Sequence, residues 1–209
     1  MAKQYHNDVY DKGLEQISNS ANWGGGVMSM VMCMAKPANA AEASTLYPAG
    51  KRVSGAVVMA GGDFTLQNKS GGGREVAVGA KSDTAGVTVT QADSGTATSG
   101  TTTALNDTAK AWTVDEHIGW ACEITGGTGS GQKFIIASNT ATQLVPEVAL
   151  TTAPDATSTY KIVPDLCVVL YDGGTSRVLS VVNESNDGDI ANGSTLNFPA
   201  HTLGITAPQ

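Results

Sequence analysis

The fold turns on the stretch Val27-Met-Ser-Met-Val-Met-Cys-Met-Ala35. Methionine stands at positions 28, 30, 32 and 34, with Ser29, Val31 and Cys33 between. A period of two belongs to a strand, whose successive side chains point to opposite faces, so the four thioethers share one face of a sheet. Such a face has two uses. Methionine adapts to irregular surfaces, which makes Met28, Met30, Met32 and Met34 candidate contacts with a neighbouring subunit; plain packing in the chain's own core is the simpler use.

Upstream, Asn19 to Gly26 reads as a loop, with Trp23 ahead of three glycines. Residues Asn7 to Ile17 read as the one helix. Tyr10, Leu14 and Ile17 recur at i, i+4 and i+7 behind Asn7 or Asp8, either able to cap, although Gly13 weakens the segment. As an arm, this helix would add Val9, Tyr10, Leu14 and Ile17 to the candidate subunit contacts.

Downstream, strand-like runs alternate with turn residues. Candidates are Arg52 to Met59, Asp63 to Gln67, Glu75 to Ala80 and Gly86 to Thr90. The texture then changes to Gly95-Thr-Ala-Thr-Ser-Gly-Thr-Thr-Thr103, a linker or weak strand. The segment 97–163 has its own aromatics, Trp112, Trp120, Phe134 and Tyr160. It also has its own strand candidates at Trp120 to Thr125, Lys133 to Ala137, Gln143 to Val148 and Thr159 to Val163. After Pro164, strand signals return at Leu166 to Tyr171, Arg177 to Val182, Thr195 to Phe198 and His201 to Ile205. Residues 1–96 and 164–209 are therefore expected to form one discontinuous β carrier, with 97–163 a small β-rich module inserted at a loop. Short strands without crossover helices predict a mainly β chain, an antiparallel sandwich or barrel with one short N-terminal helix and the inserted small β domain.

Composition narrows the function. Only 15% of residues are charged, against roughly 25% in ordinary soluble domains, so Ser, Thr, Asn, Gln and Gly must cover much of the surface. The net charge is −7 and no basic run is denser than Lys51-Arg52, which argues against a nucleic-acid partner, since phosphate binding needs clustered cations. No apolar run approaches the ~20 residues of a membrane helix. The polar start, Met1 to His6, lacks the apolar core of a secretory signal, so synthesis in a cytoplasm is expected. Cys33, Cys122 and Cys167 are widely spaced among apolar neighbours and read as buried thiols.

Motifs that could carry chemistry fall short. Gly126-Gly-Thr-Gly-Ser-Gly-Gln-Lys-Phe134 has the glycines of a phosphate loop, but Gln132 separates Gly131 from Lys133 and a strand follows where a helix is needed. A hairpin loop is the expectation. His6, His117 and His201 have no second ligand at metal spacing. Asp115-Glu116-His117 reads as a solvated loop, because adjacent residues do not converge on one point. Asp187-Gly-Asp189 with Glu184 lacks the spaced oxygen ligands of a calcium loop. No catalytic residue, cofactor or metal set is predicted.

Two resemblances remain. Asn106-Asp-Thr-Ala-Lys-Ala-Trp112, Gly119-Trp120, the run from Ile124 to Gln132, Ile136-Ala-Ser-Asn-Thr-Ala-Thr142 and Thr152 to Tyr160 resemble a small β-rich module of tailed-phage structural proteins. It covers about a third of the chain and recurs in head, tail and fibre proteins. The flanks resemble a short phage virion protein. The residues that carry this are His6-Asn-Asp-Val9, Cys33 before Lys36-Pro37, Glu42-Ala43 to Tyr47, Gly62-Asp-Phe-Thr65, Gly73-Arg74, Gly95-Thr-Ala97 and Asn197-Phe-Pro-Ala200. Together they imply a non-enzymatic virion structural protein of the capsid decoration (cement) or head-fibre type. Its expected partners are the major capsid protein and copies of itself, as a trimer. A tail-tube, tail-terminator or fibre-associated subunit is the alternative; an enzyme or glycan-binding module is a third class, and the 5% aromatic content counts against a sugar platform.

Overall fold

The computed structural model describes residues 28–69, 73–173, 177–183 and 189–206. The expected helix from Asn7 to Ile17, with Val9, Tyr10, Leu14 and Ile17, lies outside them. The chain is mainly β and its sheets are antiparallel. In order it runs β1 (Met28–Cys33), α1 (Ala40–Ser44), β2 (Val57–Val58), β3 (Phe64–Asn68), β4 (Gly73–Val78) and β5 (Lys81–Thr84). Next come β6 (Asp93–Thr96), β7 (Ser99–Thr101), β8 (Ala104–Asn106), β9 (Ala121–Gly126), β10 (Lys133–Asn139), β11 (Gln143–Pro146) and β12 (Thr159–Val163). It ends with β13 (Cys167–Asp172), β14 (Arg177–Asn183), β15 (Thr195–Phe198) and β16 (His201–Thr206). No helix of the described residues is long and apolar enough to cross a membrane.

The carrier is built around β1, which pairs with β13 from Met28↔Asp172 to Cys33↔Cys167 in a sheet of order β14-β13-β1-β2. Every residue of both strands is buried. Two faces of one sheet therefore need cover. On one, Met28, Met30, Met32, Val168 and Leu170 join a core that contains Val76 and Val78 of β4 and Leu196 and Phe198 of β15. On the other, Val31, Cys33, Cys167, Val169 and Tyr171 are sealed by Ala40 and Ala43 of α1. That five-residue helix was not expected; it is too short to show a period, and Asn39 starts it by accepting the Glu42 amide on its side chain. The alternation of the methionines was read correctly, but their use as a subunit contact is corrected. Met28, Met30, Met32 and Met34 are 0–4% exposed, because the opposing layers of the sandwich already cover them. Each buried side chain of this size contributes roughly 1.5–3 kcal/mol to folding.

Smaller corrections concern strand ends. Gly86 to Thr90 forms no strand and is held by the bridge Val89↔Ile190 and by the Gly86 amide on the Val53 carbonyl, whereas the preceding polar run Lys81–Thr84 pairs with β15. Of Arg52 to Met59 only Val57–Val58 is a strand. The inserted sheet also begins four residues ahead of the expected boundary at 97, since β6 pairs with β12 from Asp93↔Ile162 to Thr96↔Thr159.

That sheet has the order β6-β12-β9-β10-β11-β8-β7, and its two outermost strands are consecutive in the chain. Residues 93–101 thus run along β12 with one half and along β8 with the other, joined by the Ala97 and Thr98 amides, which bond to Ser158 and Asn106. The sheet closes on itself as a small barrel, which removes both exposed edges. Leu105, Ile124, Ile136, Leu144 and Ile162 fill it. The glycine-rich loop is the β9–β10 hairpin, with Gly127, Gly129 and Gly131 at positive φ. Gln132, the residue that spoils the phosphate-loop pattern, fastens this hairpin to the Thr151–Thr152 backbone through both ends of its amide.

One buried hydrogen bond fixes the closure. The Tyr160 hydroxyl donates to Asp107 Oδ2 at 2.7 Å, and the Ala109 amide donates to Oδ1. Gly95 lies against the pair, where a Cβ would stand 2.6 Å from Asp107 Oδ2 and 2.8 Å from the hydroxyl. Burial, then the bond to Asp107, pushes the Tyr160 phenol far up, so it stays a donor at all ordinary pH values. Replacing Tyr160 by Phe removes one partner of a buried carboxylate and should cost about 1–3 kcal/mol, read by urea unfolding. A cost near zero would show that the bond does not hold the barrel.

Candidate functional site

The seam between carrier and barrel is where the described residues gather polar and aromatic side chains around open space. On the barrel side, β8 leads to Trp112 and then to a run of turns, 113–119, that returns at Trp120 ahead of β9. The turns are fixed by Asn139, whose Oδ1 accepts the His117 amide and whose Nδ2 donates to the Thr113 carbonyl. On the carrier side, Tyr47 follows α1, and 88–92 follows β5. The Gln91 amide donates to Asp189 Oδ1 and the Asn192 amide donates to Thr88 Oγ1, so the later 189–192 segment pins this wall.

The two halves are packed, not merely tethered. Tyr47 meets the edge of Trp120 with ring centroids 6.4 Å apart, the Asp165 amide donates to the Met34 carbonyl, and Gly119 at φ +82 lies against Ala35. The barrel core continues into the carrier core through these contacts.

His117 occupies the centre. Its ring stands edge-on to Trp112 at 5.6 Å and to Trp120 at 6.4 Å. It is 7% exposed, which corrects its reading as part of a solvated loop. The turn folds inward because Asp115 adopts positive φ, leaving Val114 and Ile118 outside and the imidazole inside. Nε2 has no hydrogen-bond partner, although Glu116 Oε1 stands 3.4 Å away and accepts the Thr113 amide instead. Burial pushes the His117 pKa below its ordinary 6.5, and the charges of Glu116 and Asp93 only partly oppose this.

Asp93 closes the floor. Its Oδ2 accepts Trp112 Nε1 at 2.7 Å and its Oδ1 pairs with Lys110 Nζ at 2.8 Å. Burial disfavours its charge, but the bonds from Lys110 and Trp112 outweigh that and hold its carboxyl below the ordinary range. A cavity of about 430 Å³ lies between these groups and the 88–92 wall; a second depression of about 310 Å³ shares Tyr47, Glu116 and Trp120 with it.

Of the residues expected as contacts, Met28, Met30 and Met32 are core away from this place, Met34 is buried but borders the smaller depression, and Val9, Tyr10, Leu14 and Ile17 lie outside the described residues. Of the calcium-like group, only Asp189 is described, and it serves as the acceptor for Gln91. The three thiols are buried and unbonded to one another; burial drives Cys33 to about 12 and the other two higher still, so none is a nucleophile at neutral pH. Among the described residues no group of three His, Cys, Asp or Glu side chains could hold a metal ion. Two signals for the seam were present in the sequence, the three aromatic-type residues Trp112, His117 and Trp120 and the nearby acids, but their convergence with Tyr47 and 88–92 depends on tertiary packing.

No known protein family, curated protein or solved structure matches the chain.

The buried imidazole has a pH consequence. A histidine whose folded pKa lies below 6.5 stabilises the fold fully above that value and loses the contribution as pH falls through it. Burial lowers His201 too, against the Pro199 carbonyl, so both act with the same sign. The groups facing His117 are Glu116 and Asp93, the latter held by Lys110. Thermal stability should decline as pH drops from about 7 to 5, and His117→Asn should flatten part of that decline. A proton NMR titration placing the His117 pKa above 6.5 would sink this account.

Proposed function

We propose that the chain is a non-enzymatic structural subunit of a tailed-phage virion, and specifically a capsid decoration protein that binds the outer surface of the head and stabilises it. The observation that carries the reading is the architecture: a sandwich whose own strands close around β1 and β13, bearing a closed barrel whose entry and exit strands are paired side by side at Asp93↔Ile162. That arrangement suits a shell-anchored part with a second part presented outward. The resemblances on both sides of the insert support the same class. The negative net charge suits a protein that docks on protein, not on packaged nucleic acid.

With the methionines buried, attachment falls to a different surface. β14 is the outermost strand of the carrier sheet, and no strand of the described residues pairs with its free edge. Val178, Leu179, Val181 and Val182 are all half-buried there. A bulge at Leu179 shifts the register, leaving 180–183 as a regular run opposite Cys167–Leu170. An apolar strand with open amides and carbonyls recruits another strand, from a second copy or from the major capsid protein. Repetition by the symmetry of the shell then multiplies weak contacts, and a trimer about a local axis fits this use.

Purified protein mixed with expanded, undecorated capsids should bind to saturation, and the copies bound per particle should hold up to about 0.5 M salt, because apolar and main-chain contacts are screened little. Val182→Lys on β14, at a half-buried residue outside both core clusters, should reduce the copies bound several-fold without unfolding the carrier. Saturable binding to isolated tails and none to capsids would reject decoration and favour the tail-tube, tail-terminator or fibre-associated role.

A further inference from the structure

The seam has a chemistry that the decoration role does not use. Its carrier wall offers the side chains of Thr90 and Gln91, on a backbone already fixed by the 189–192 segment. Its barrel wall offers Glu116, and Asp93 holds the Trp112 indole from the floor. Tyr47, half-buried, borders both depressions and is the one ring of the group with a substantial open surface; Trp112 and Trp120 are 8% and 6% exposed and contribute edges. A buried imidazole nitrogen without a hydrogen-bond partner stands in the same wall.

Ligand classes can be weighed against these walls. An anion would meet Glu116 and Asp93 in the cavity and Glu42 and Asp115 in the adjoining depression, while the Lys110 and Lys51 ammoniums are already paired with Asp93 and Glu42, so charge disfavours it. A metal ion lacks a ligand set among the described residues. A purely apolar molecule would desolvate Gln91, Thr90 and Glu116, whose carboxylate holds only the Thr113 amide through Oε1, at a cost that outweighs the gain from the rings. A molecule with hydroxyls around its rim and C–H faces satisfies both kinds of wall, since hydroxyls take amide, hydroxyl and carboxylate partners while C–H faces lie on aromatic surface. The about 430 Å³ cavity admits a sugar ring, and the adjoining depression of about 310 Å³ across Tyr47 lets a chain continue.

We propose that the seam between carrier and barrel binds a neutral oligosaccharide, with Tyr47 under one ring and Gln91, Thr90 and Glu116 taking its hydroxyls. Binding involves no bond breakage, and it stands independently of whether the protein sits on the head or the tail. A virion subunit with such a cleft would hold the particle loosely to a glycan-bearing surface, each copy weakly and many copies together strongly.

The test uses the full-length protein in solution and its tryptophan emission, to which Trp112 and Trp120 both report from the cleft wall. Maltotriose, cellotriose and tri-N-acetylchitotriose are the neutral probes, and sialyllactose is the anionic counterpart. At least one neutral probe should give a saturable change with a dissociation constant on the order of 1 mM. Gln91→Ala and Glu116→Ala should each weaken that binding about tenfold, while circular dichroism stays unchanged. Val148→Ser, at an exposed residue that lines a different cavity, should bind as the parent does. The proposal is overturned if no neutral probe produces a saturable change by about 20 mM, if sialyllactose binds as tightly as the neutral probes, or if the two cleft variants bind unimpaired. Failure here leaves the capsid-binding result untouched, and failure of capsid binding leaves this one untouched.

Discussion

The pairing of β1 with β13 is the constraint from which the rest of the structure follows. Both strands bury both faces, so the sheet they form must have a layer on either side, of which only α1 follows β1 directly in sequence. One layer is the β3–β5 and β15–β16 set, which brings the C-terminal strands back over the methionine face. The other is the single turn of α1, strapped by the Glu42–Lys51 ion pair and by Lys51 Nζ on the Lys36 carbonyl. Surface ion pairs contribute little by themselves. Here the hydrophobic seal of Ala40 and Ala43 supplies the stabilisation, and the polar contacts fix its position.

Within the barrel the equivalent constraint is the single segment 93–101 that serves both margins of the sheet. Its sequence is almost all Ser, Thr, Gly and Ala, which suits a strand that must approach Asp107, Tyr160 and the Pro154 carbonyl closely. Small residues let the backbone come near; large ones would hold the cylinder open. Closure also explains why Gly95 and Gly100 stand where they do, each with side-chain or carbonyl atoms within 3 Å of a would-be Cβ.

The sequence was legible where period and turn chemistry carry the signal. The methionine alternation, the β9–β10 hairpin, β12, β13 and β15 are read directly from residue order, because burial on one or both faces leaves an apolar pattern. Strands β6 to β8 were legible only as the weak-strand alternative over Gly95 to Thr103: a Thr- and Ser-rich run that pairs through backbone at the margin of a barrel has no apolar face to betray it. The methionines mark a different limit. Alternation identifies a shared face, but whether the chain itself or a neighbour covers that face is decided by distant segments, β3–β5 and β15–β16. His117 was missed for a similar reason, since only the positive φ of Asp115 and the anchoring by Asn139 turn an acidic, hydrophilic tripeptide inward.

The β1–β13 ladder also has a mechanical meaning. Residues 34–166 form a loop whose neck is that ladder, from Cys33↔Cys167 at the closed end to Met28↔Asp172 at the open end. Tension applied across Met28 and Asp172 crosses the hydrogen bonds of the neck before it reaches the barrel, although β15 and β16, which follow Asp172, also pair with β5 and β4 inside the loop. The barrel is therefore unloaded when the carrier is pulled, and it feels force only after β1 has been peeled from β13 pair by pair. A pull across β1 and β13 would strain the neck first, while the barrel keeps its shape until the neck gives way.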